Sequence, residues 1–395
     1  MLDSEPITRR AALALLASPV AGAAVGTVVH APEGSPVVAG VSPVTTDESN
    51  WPMYRGNPAR TGAVSTHGPV GSPIELWRVE LDSPAARSPA IVDGVAYVGS
   101  GDGTLRALDA ATGTERWRYQ ADASLASTPT VADGRIYVVD SAGELVALDA
   151  GVGHEAWRRA SPVAVESTPA VVDGVLYVGS DDGKIYALDA ANGSERWAFD
   201  AGVAVTRSPA IAGGTVYIGC EDGRLFALDV SRGSERWRFD GGNPSERTYT
   251  PTVADGAVFV AQGGVLYALD AATGAEQWSN RLGDGARAPA YAGGMLYSGG
   301  LDGVIYAIDA ITGEVRWTFT TGGRVVATPS VAGATVYAVS YDRSLYALDS
   351  ATGIERWRLA VAGTAESGPS IAGGVLYVAT SFGIVVAIGD GERLG

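Results

Sequence analysis

From about residue 88 to the C-terminus, short apolar runs alternate with polar turns in a fixed order. The stretch 88–120 shows the grammar. Ser-Pro-Ala-Ile-Val opens a short strand, A, and Asp93-Gly94 follows as a two-residue hairpin turn in which both positions tolerate positive φ. Residues 95–99 form strand B, apolar on both faces, as expected of a sheet covered on both sides. A Gly-Asp-Gly turn leads to strand C at 104–108. Asp109 then begins a turn ending in Gly113, where the carboxylate is placed to cap backbone N–H groups. Residues 115–118 complete the unit as strand D. Four strands joined by tight turns predict an antiparallel meander.

The unit recurs. Eight of the nine tryptophans (Trp77, Trp117, Trp157, Trp197, Trp237, Trp278, Trp317 and Trp357) are spaced 39 to 41 residues apart. Tyr97, Tyr137, Tyr177, Tyr217, Phe259, Tyr297, Tyr337 and Tyr377 keep the same beat. Four strands per forty-odd residues predict an all-β fold, an eight-bladed β-propeller of four-stranded antiparallel blades. The periodic tryptophans are then packing between blades. Counting complete units from Ser88 gives seven that end in a tryptophan strand; an eighth supplies strands A to C and stops near Gly391. The missing outer strand lies at the other end, so residues 74–81 are predicted to pair antiparallel with 384–388. This closure removes an open blade edge.

The motif A-x-D-x-x-T-G-x-x-x-W stands as ALDAATGTERW (107–117), ALDAANGSERW (187–197), ALDAATGAEQW (268–278), AIDAITGEVRW (307–317) and ALDSATGIERW (347–357). ALDAGVGHEAW (147–157) and ALDVSRGSERW (227–237) match less fully. The motif resembles the repeat of the pyrroloquinoline-quinone (PQQ)-like propeller family, and WPMYRGNPARTG at 51–62 is similar to the lead-in of that family. The resemblance implies the eight-bladed fold for everything after Trp51. It also raises a catalytic alternative, a PQQ- and calcium-dependent quinoprotein dehydrogenase. Such enzymes clamp the quinone with vicinal cysteines, carry insertions and set an extra tryptophan beneath the cofactor. This chain has one cysteine, Cys220, evenly spaced blades and only Trp51 outside the periodic series. We therefore expect no cofactor, no metal and no catalytic residues, as in the outer-membrane assembly propellers that the chain resembles.

Charge and the N-terminus narrow the setting. The formal net charge is −16, and Lys184 is the only lysine among 28 basic residues. This disfavours nucleic acid as a partner and suits a high-salt environment. Arg9-Arg10 precede an apolar run broken by Pro19, which reads as an export signal over 1–30, of the twin-arginine type. A flexible linker follows at 31–50 and a lead-in segment at 51–73, before the propeller at 74–395. The expectation is an exported, extracellular or cell-surface monomer with no transmembrane span in the mature chain.

Candidate chemistry is sparse. His154 reads as a solvated turn residue. Cys220 replaces Ser100, Ser180 and Ser340 of other repeats, with Glu221-Asp222 beside it rather than the cation a reactive thiol needs. Positions that differ between repeats are more informative. The D-to-A and B-to-C connections should share one face around the central channel. There stand Arg87, Glu166, Arg207, Arg247, Tyr249, Arg287, Arg324, Tyr341, Arg343 and Glu366. Arginines gathered at a channel mouth suit a carboxylate or an acidic peptide. The alternative is that they pair with Glu166, Glu366 and the turn aspartates. The predicted function is a non-catalytic scaffold for a protein or a small anionic ligand.

Overall fold

A computed structural model describes residues 27–28, 49–85, 87–125, 127–160, 167–241 and 246–391. The export signal and linker therefore lie outside the described residues, save Ser49–Asn50 and strand Thr27–Val28, which pairs with the outer strand Val315–Thr320. Among the described residues no helix is long and apolar enough to cross a membrane.

Eight antiparallel sheets form an eight-bladed propeller. Blade 1 runs from inner to outer edge as Ala90–Val92, Val95–Gly99, Thr104–Asp109 and Glu115–Gln120. Blades 2 to 7 repeat this order, and their inner strands are Thr130–Ala132, Ala170–Val172, Ala210–Ala212, Thr252–Ala254, Ala290–Ala292 and Ser330–Ala332. The A–B hairpins behave as the Asp-Gly pairs predict: Asp93 has φ 50° and Gly94 φ 71°. Strand Val95–Gly99 is buried at every position, as a sheet covered on both faces requires.

Blade 8 joins the two ends of the chain. Its strands Ser370–Ala372, Val375–Ala379 and Ile384–Asp390 are completed by Pro73–Glu80, antiparallel, with Trp77 opposite Ala387. Leu76 is the extra residue of a β-bulge, and the same bulge precedes the tryptophan in every other blade. The predicted closure is therefore the one the fold uses, and Trp77 is only 8% exposed.

The repeat motif explains itself at the seam between blades. Each periodic indole lies beside the aromatic ring of strand B in its own blade, with centroids 5.8–6.1 Å apart. Its Nε1–H reaches the next blade: Trp77 donates to the carbonyl of Ala110, Trp117 to Ala150 and Trp157 to Ala190, at 2.9–3.2 Å. The tyrosine hydroxyl donates to the same carbonyl, Tyr377 to Ala110, Tyr97 to Ala150 and Tyr137 to Ala190. Phe259 has no hydroxyl, so Ala310 receives only the Trp278 indole. The acceptor follows the motif aspartate, whose Oδ1 caps two turn amides, as Asp109 does for Ala111 and Thr112. Asp109 Oδ2 also meets Arg116 at 2.7 Å, and this contact holds its carboxyl below the usual range. The glycine of T-G closes the turn under the previous blade's indole. A Cβ on Gly113 would sit 2.8 Å from the Trp77 ring, and its φ of 74° already excludes most side chains. Trp117, Trp157, Trp197 and Trp278, on the outer strands, are partly rather than fully buried, whereas Trp77, Trp237, Trp317 and Trp357 at the equivalent place are buried.

Blade 8 has no C–D turn to receive Trp357. Pro69 of the lead-in supplies the carbonyl instead, accepting from Trp357 Nε1–H and the Tyr337 hydroxyl, both at 3.0 Å. Cys220 is fully buried against Ile218 and Phe226, and burial, aided by Asp222, pushes its thiol up to about 12.

Two outcomes test this architecture. Trp77→Ala removes a buried aromatic from the closing strand and should cost about 3–5 kcal/mol in denaturant unfolding. Cys220 should resist iodoacetamide at pH 8 in the native protein and react once the chain is unfolded. Labelling of the folded protein at the rate of a free thiol would contradict the burial described.

Candidate binding site at the channel mouth

The lead-in is not a tether lying outside the ring. It runs across the central channel, touching one inner strand after another. Trp51 exchanges both backbone bonds with Ile91 of blade 1, and Pro52 accepts from Val131 of blade 2. The carbonyls of Pro58, Ala59, Thr61 and Gly62 accept from Ile211, Val253, Tyr291 and Val331 of blades 4, 5, 6 and 7. Ala63–Val64 then pairs in parallel with Ser330–Ala332. These bonds meet the middle residue of the inner strands of blades 1, 2, 4, 5, 6 and 7, so the segment lies across the channel between its two ends.

One end of the channel is formed as expected, by B–C turns bonded to D–A connections. Gly101 N–H donates to Pro84 O, Glu221 N–H to Ala204 O and Tyr341 N–H to Arg324 O. Here the structure brings most of the sequence-selected residues together. Arg207 and Arg287 approach Tyr249 from the neighbouring blades, with guanidinium carbons 5.4 and 4.9 Å from its ring centre. Arg287 Nη1–H also donates to the Tyr249 hydroxyl. Burial and the nearby charge of Arg247 hold Arg207 below the usual arginine range. Tyr341 is raised by burial and by Glu366, with Arg287 and Arg324 acting against the shift, which places it among those three.

Pairing with carboxylates is partial. Arg87 meets Glu366 at 3.3 Å, but both side chains are exposed and such a pair contributes little. Arg207 lies 3.5 Å from Glu221, which also accepts from the Thr206 hydroxyl. Arg247, Arg287 and Arg324 have no carboxylate within ion-pair distance among the described residues. The Nε atoms of Arg207 and Arg287 are buried without an acceptor. Arg343 stands apart, exposed, at φ 67°. Glu166 lies outside the described residues. The arrangement offers forked, charged donors to an anion, with an aromatic face between them.

Sequence reasoning missed the residues beneath. Arg55 and Arg60 of the lead-in are 4% and 0% exposed. Arg60 is pinned by carbonyl oxygens: Nε–H donates to Pro209, Nη1–H to Tyr54, and Nη2–H to Thr168 and Pro169. Arg55 Nη2–H donates to Thr252 Oγ1 at 2.7 Å. Two arginines in a single-copy segment rich in Pro and Gly were the available signal. Among the described residues no group of three or more His, Cys, Asp or Glu is placed to hold a metal ion.

Known proteins share this architecture. No curated protein matches the chain in sequence. The solved structure of BamB from Moraxella catarrhalis is similar with a TM-score of 0.69 at 20% identity, over 80% of this chain and 99% of that one. A europium-containing methanol dehydrogenase gives 0.75 at 14% identity, over 87% and 98%. A quinohemoprotein alcohol dehydrogenase of Pseudomonas putida gives 0.74 at 17%, over 87% and 80%. At these identities the likeness speaks for the fold alone. A family profile reaches further, matching residues 71–198, 125–263 and 262–394 and so nearly the whole ring. By that match the chain belongs to the PQQ-like propeller family described as outer membrane protein assembly factor BamB.

Proposed function

We propose that this protein is an exported, non-catalytic interaction scaffold whose arginine-lined channel mouth captures an acidic segment of a protein partner in the cell envelope. The observation that carries the reading is the Arg207–Tyr249–Arg287 group, in which both guanidinium Nε atoms are buried without acceptors. Cations concentrated at one face of a chain of net charge −16 select for negative partners and repel further copies of the chain. The family's description as an assembly factor supports a protein partner, and Arg9-Arg10 before an apolar run supports export.

The dehydrogenase folds among the structural neighbours favour a second reading, a PQQ- and calcium-dependent enzyme. Two features weigh against it. Cys220 is single and buried, so it offers no vicinal pair. Trp51, the one tryptophan outside the periodic series, is 2% exposed and bonded to Ile91.

Replacing Arg87, Arg207 and Arg287 together with Gln should abolish capture of envelope proteins that the wild type retains at high salt, with little change in unfolding midpoint. Undiminished capture would place the interface elsewhere. Isothermal titration with PQQ should give binding no tighter than millimolar, with or without calcium. Micromolar, calcium-dependent binding would establish the second reading instead.

A further inference from the structure

Each blade ends in an outer strand whose far edge is a template for further pairing unless something covers or repels. Seven of the eight outer strands carry two or three charged residues apiece. Blades 1 to 5 and blade 7 open theirs with Glu115, Glu155, Glu195, Glu235, Glu276 and Glu355. The residue after the periodic tryptophan is arginine in five blades (Arg78, Arg118, Arg158, Arg238 and Arg358). Four of these arginines pair with the glutamate three positions back. Blade 6 departs from this. Its outer strand Val315–Thr320 reads Val-Arg-Trp-Thr-Phe-Thr, with one charge, Val315 in place of the glutamate and Thr318 in place of the arginine. Such a strand favours pairing and does nothing to repel it.

Among the described residues, blade 6 is also the one blade to which a strand is added at the rim. Thr27–Val28 pairs antiparallel with it, Thr27 opposite Thr318 and Val28 opposite Trp317. Burial follows the same pattern. Trp317 is 2% exposed, less than any other periodic tryptophan. Thr318 is half-buried, whereas the residue after every other periodic tryptophan is exposed. Phe319 is buried, whereas Tyr119, Phe199, Phe239 and Leu359 at equivalent places are half-buried. The added segment matches the edge. From Ala11 to Pro32 the chain contains no Asp, Glu, Lys or Arg, and Thr27-Val28-Val29 sets three β-branched residues in succession. Against any other blade it would lie over charged side chains that prefer water. Ala21-Gly22-Ala23 has the small-residue pattern at which an export signal is cut, and it lies upstream, so the strand stays with the mature chain.

We propose that the outer edge of blade 6 is a strand-binding site for an uncharged, β-branched segment, and that its occupant is the chain's own segment around Thr27–Val28, docked as a fifth strand of the blade. Main-chain pairing holds such a strand, and the lack of charge on both sides selects it. A strand this short binds weakly by itself, but its tether makes the docking intramolecular, at an effective concentration of about millimolar. The tether is long enough: residues 29–50 reach roughly 70 Å at about 3.3 Å per residue, well beyond the width of a four-stranded blade. A second copy of the chain is a poorer occupant, because two molecules of net charge −16 repel each other. The site lies at the rim and does not rest on capture of a partner at the channel mouth.

Amide hydrogen exchange of the full chain, read by mass spectrometry, tests the site. Residues 315–320 should exchange about tenfold or more slowly than 115–120 and 355–360 in the wild type. Thr27→Pro combined with Val28→Pro removes both backbone donors of the docked strand and should erase that difference, with 355–360 unchanged. Thr318→Arg, which gives blade 6 the residue five other blades carry, should do the same from the edge side. The synthetic peptide Val-Gly-Thr-Val-Val-His-Ala, at about millimolar concentration, should restore slow exchange to the double-proline variant and leave Thr318→Arg fast. Unchanged protection in the double-proline variant would overturn the proposal, and a dimer in sedimentation would then identify a second copy as the occupant. Failure of the peptide to protect the double-proline variant would also count against it, as would an exported protein whose N-terminus lies beyond Val28.

Discussion

Two donors meeting at one carbonyl hold this ring together. In six of the eight seams an indole N–H and a phenol O–H from one blade converge on a single backbone oxygen at the edge of the next, and in a seventh they converge on Pro69 of the lead-in. Each buried bond contributes about 1 kcal/mol net, and the aromatic surface they carry contributes more through removal from water. The acceptor is presented by a turn that Asp and Gly build, and that glycine lies flat under the indole it serves. A single eleven-residue motif thus contains both halves of an interface: its Asp-to-Gly portion receives the blade before, and its Trp reaches the blade after. Selection on one motif is selection on every seam.

The channel obeys a different constraint. Its walls are short inner strands whose N–H groups need acceptors, and with eight blades the hole is too wide for the strands to satisfy one another. The lead-in answers this with carbonyls aimed outward at successive blades. Doing so brings Arg55 and Arg60 into the interior, far from the acidic surface that dominates the molecule. The positive potential of the channel is therefore tied to the segment that completes its hydrogen bonding.

Periodic features were legible in the sequence because repetition exposes them. The strand order, the Asp-Gly hairpins, the capping role of Asp109 and its counterparts, and the pairing of 74–81 with the last blade all follow from counting and turn chemistry. The mouth residues were legible as departures from the repeat, but their contacts were not. Whether Arg287 reaches Tyr249 or an aspartate depends on side-chain direction, which spacing does not set. The lead-in was least legible. WPMYRGNPARTG occurs once, has neither helical nor strand periodicity, and contains arginines that sequence patterns assign to solvent. Its burial follows from the shape of the hole it fills, which exists only after the ring has formed.

The backbone of that segment meets the ring in order. Trp51 and Pro52 meet blades 1 and 2, and the carbonyls of Pro58, Ala59, Thr61 and Gly62 take blades 4 to 7, while the Arg60 side chain reaches back to blade 3. Residues 73–80 then enter blade 8. It acts as a ruler. Each seam joins only neighbouring blades, whereas the lead-in backbone is bonded to blades 1, 2 and 4 to 7 at once. In a ring with a blade added or removed its carbonyls would face the wrong inner strands, so the single-copy segment is matched to a count of eight.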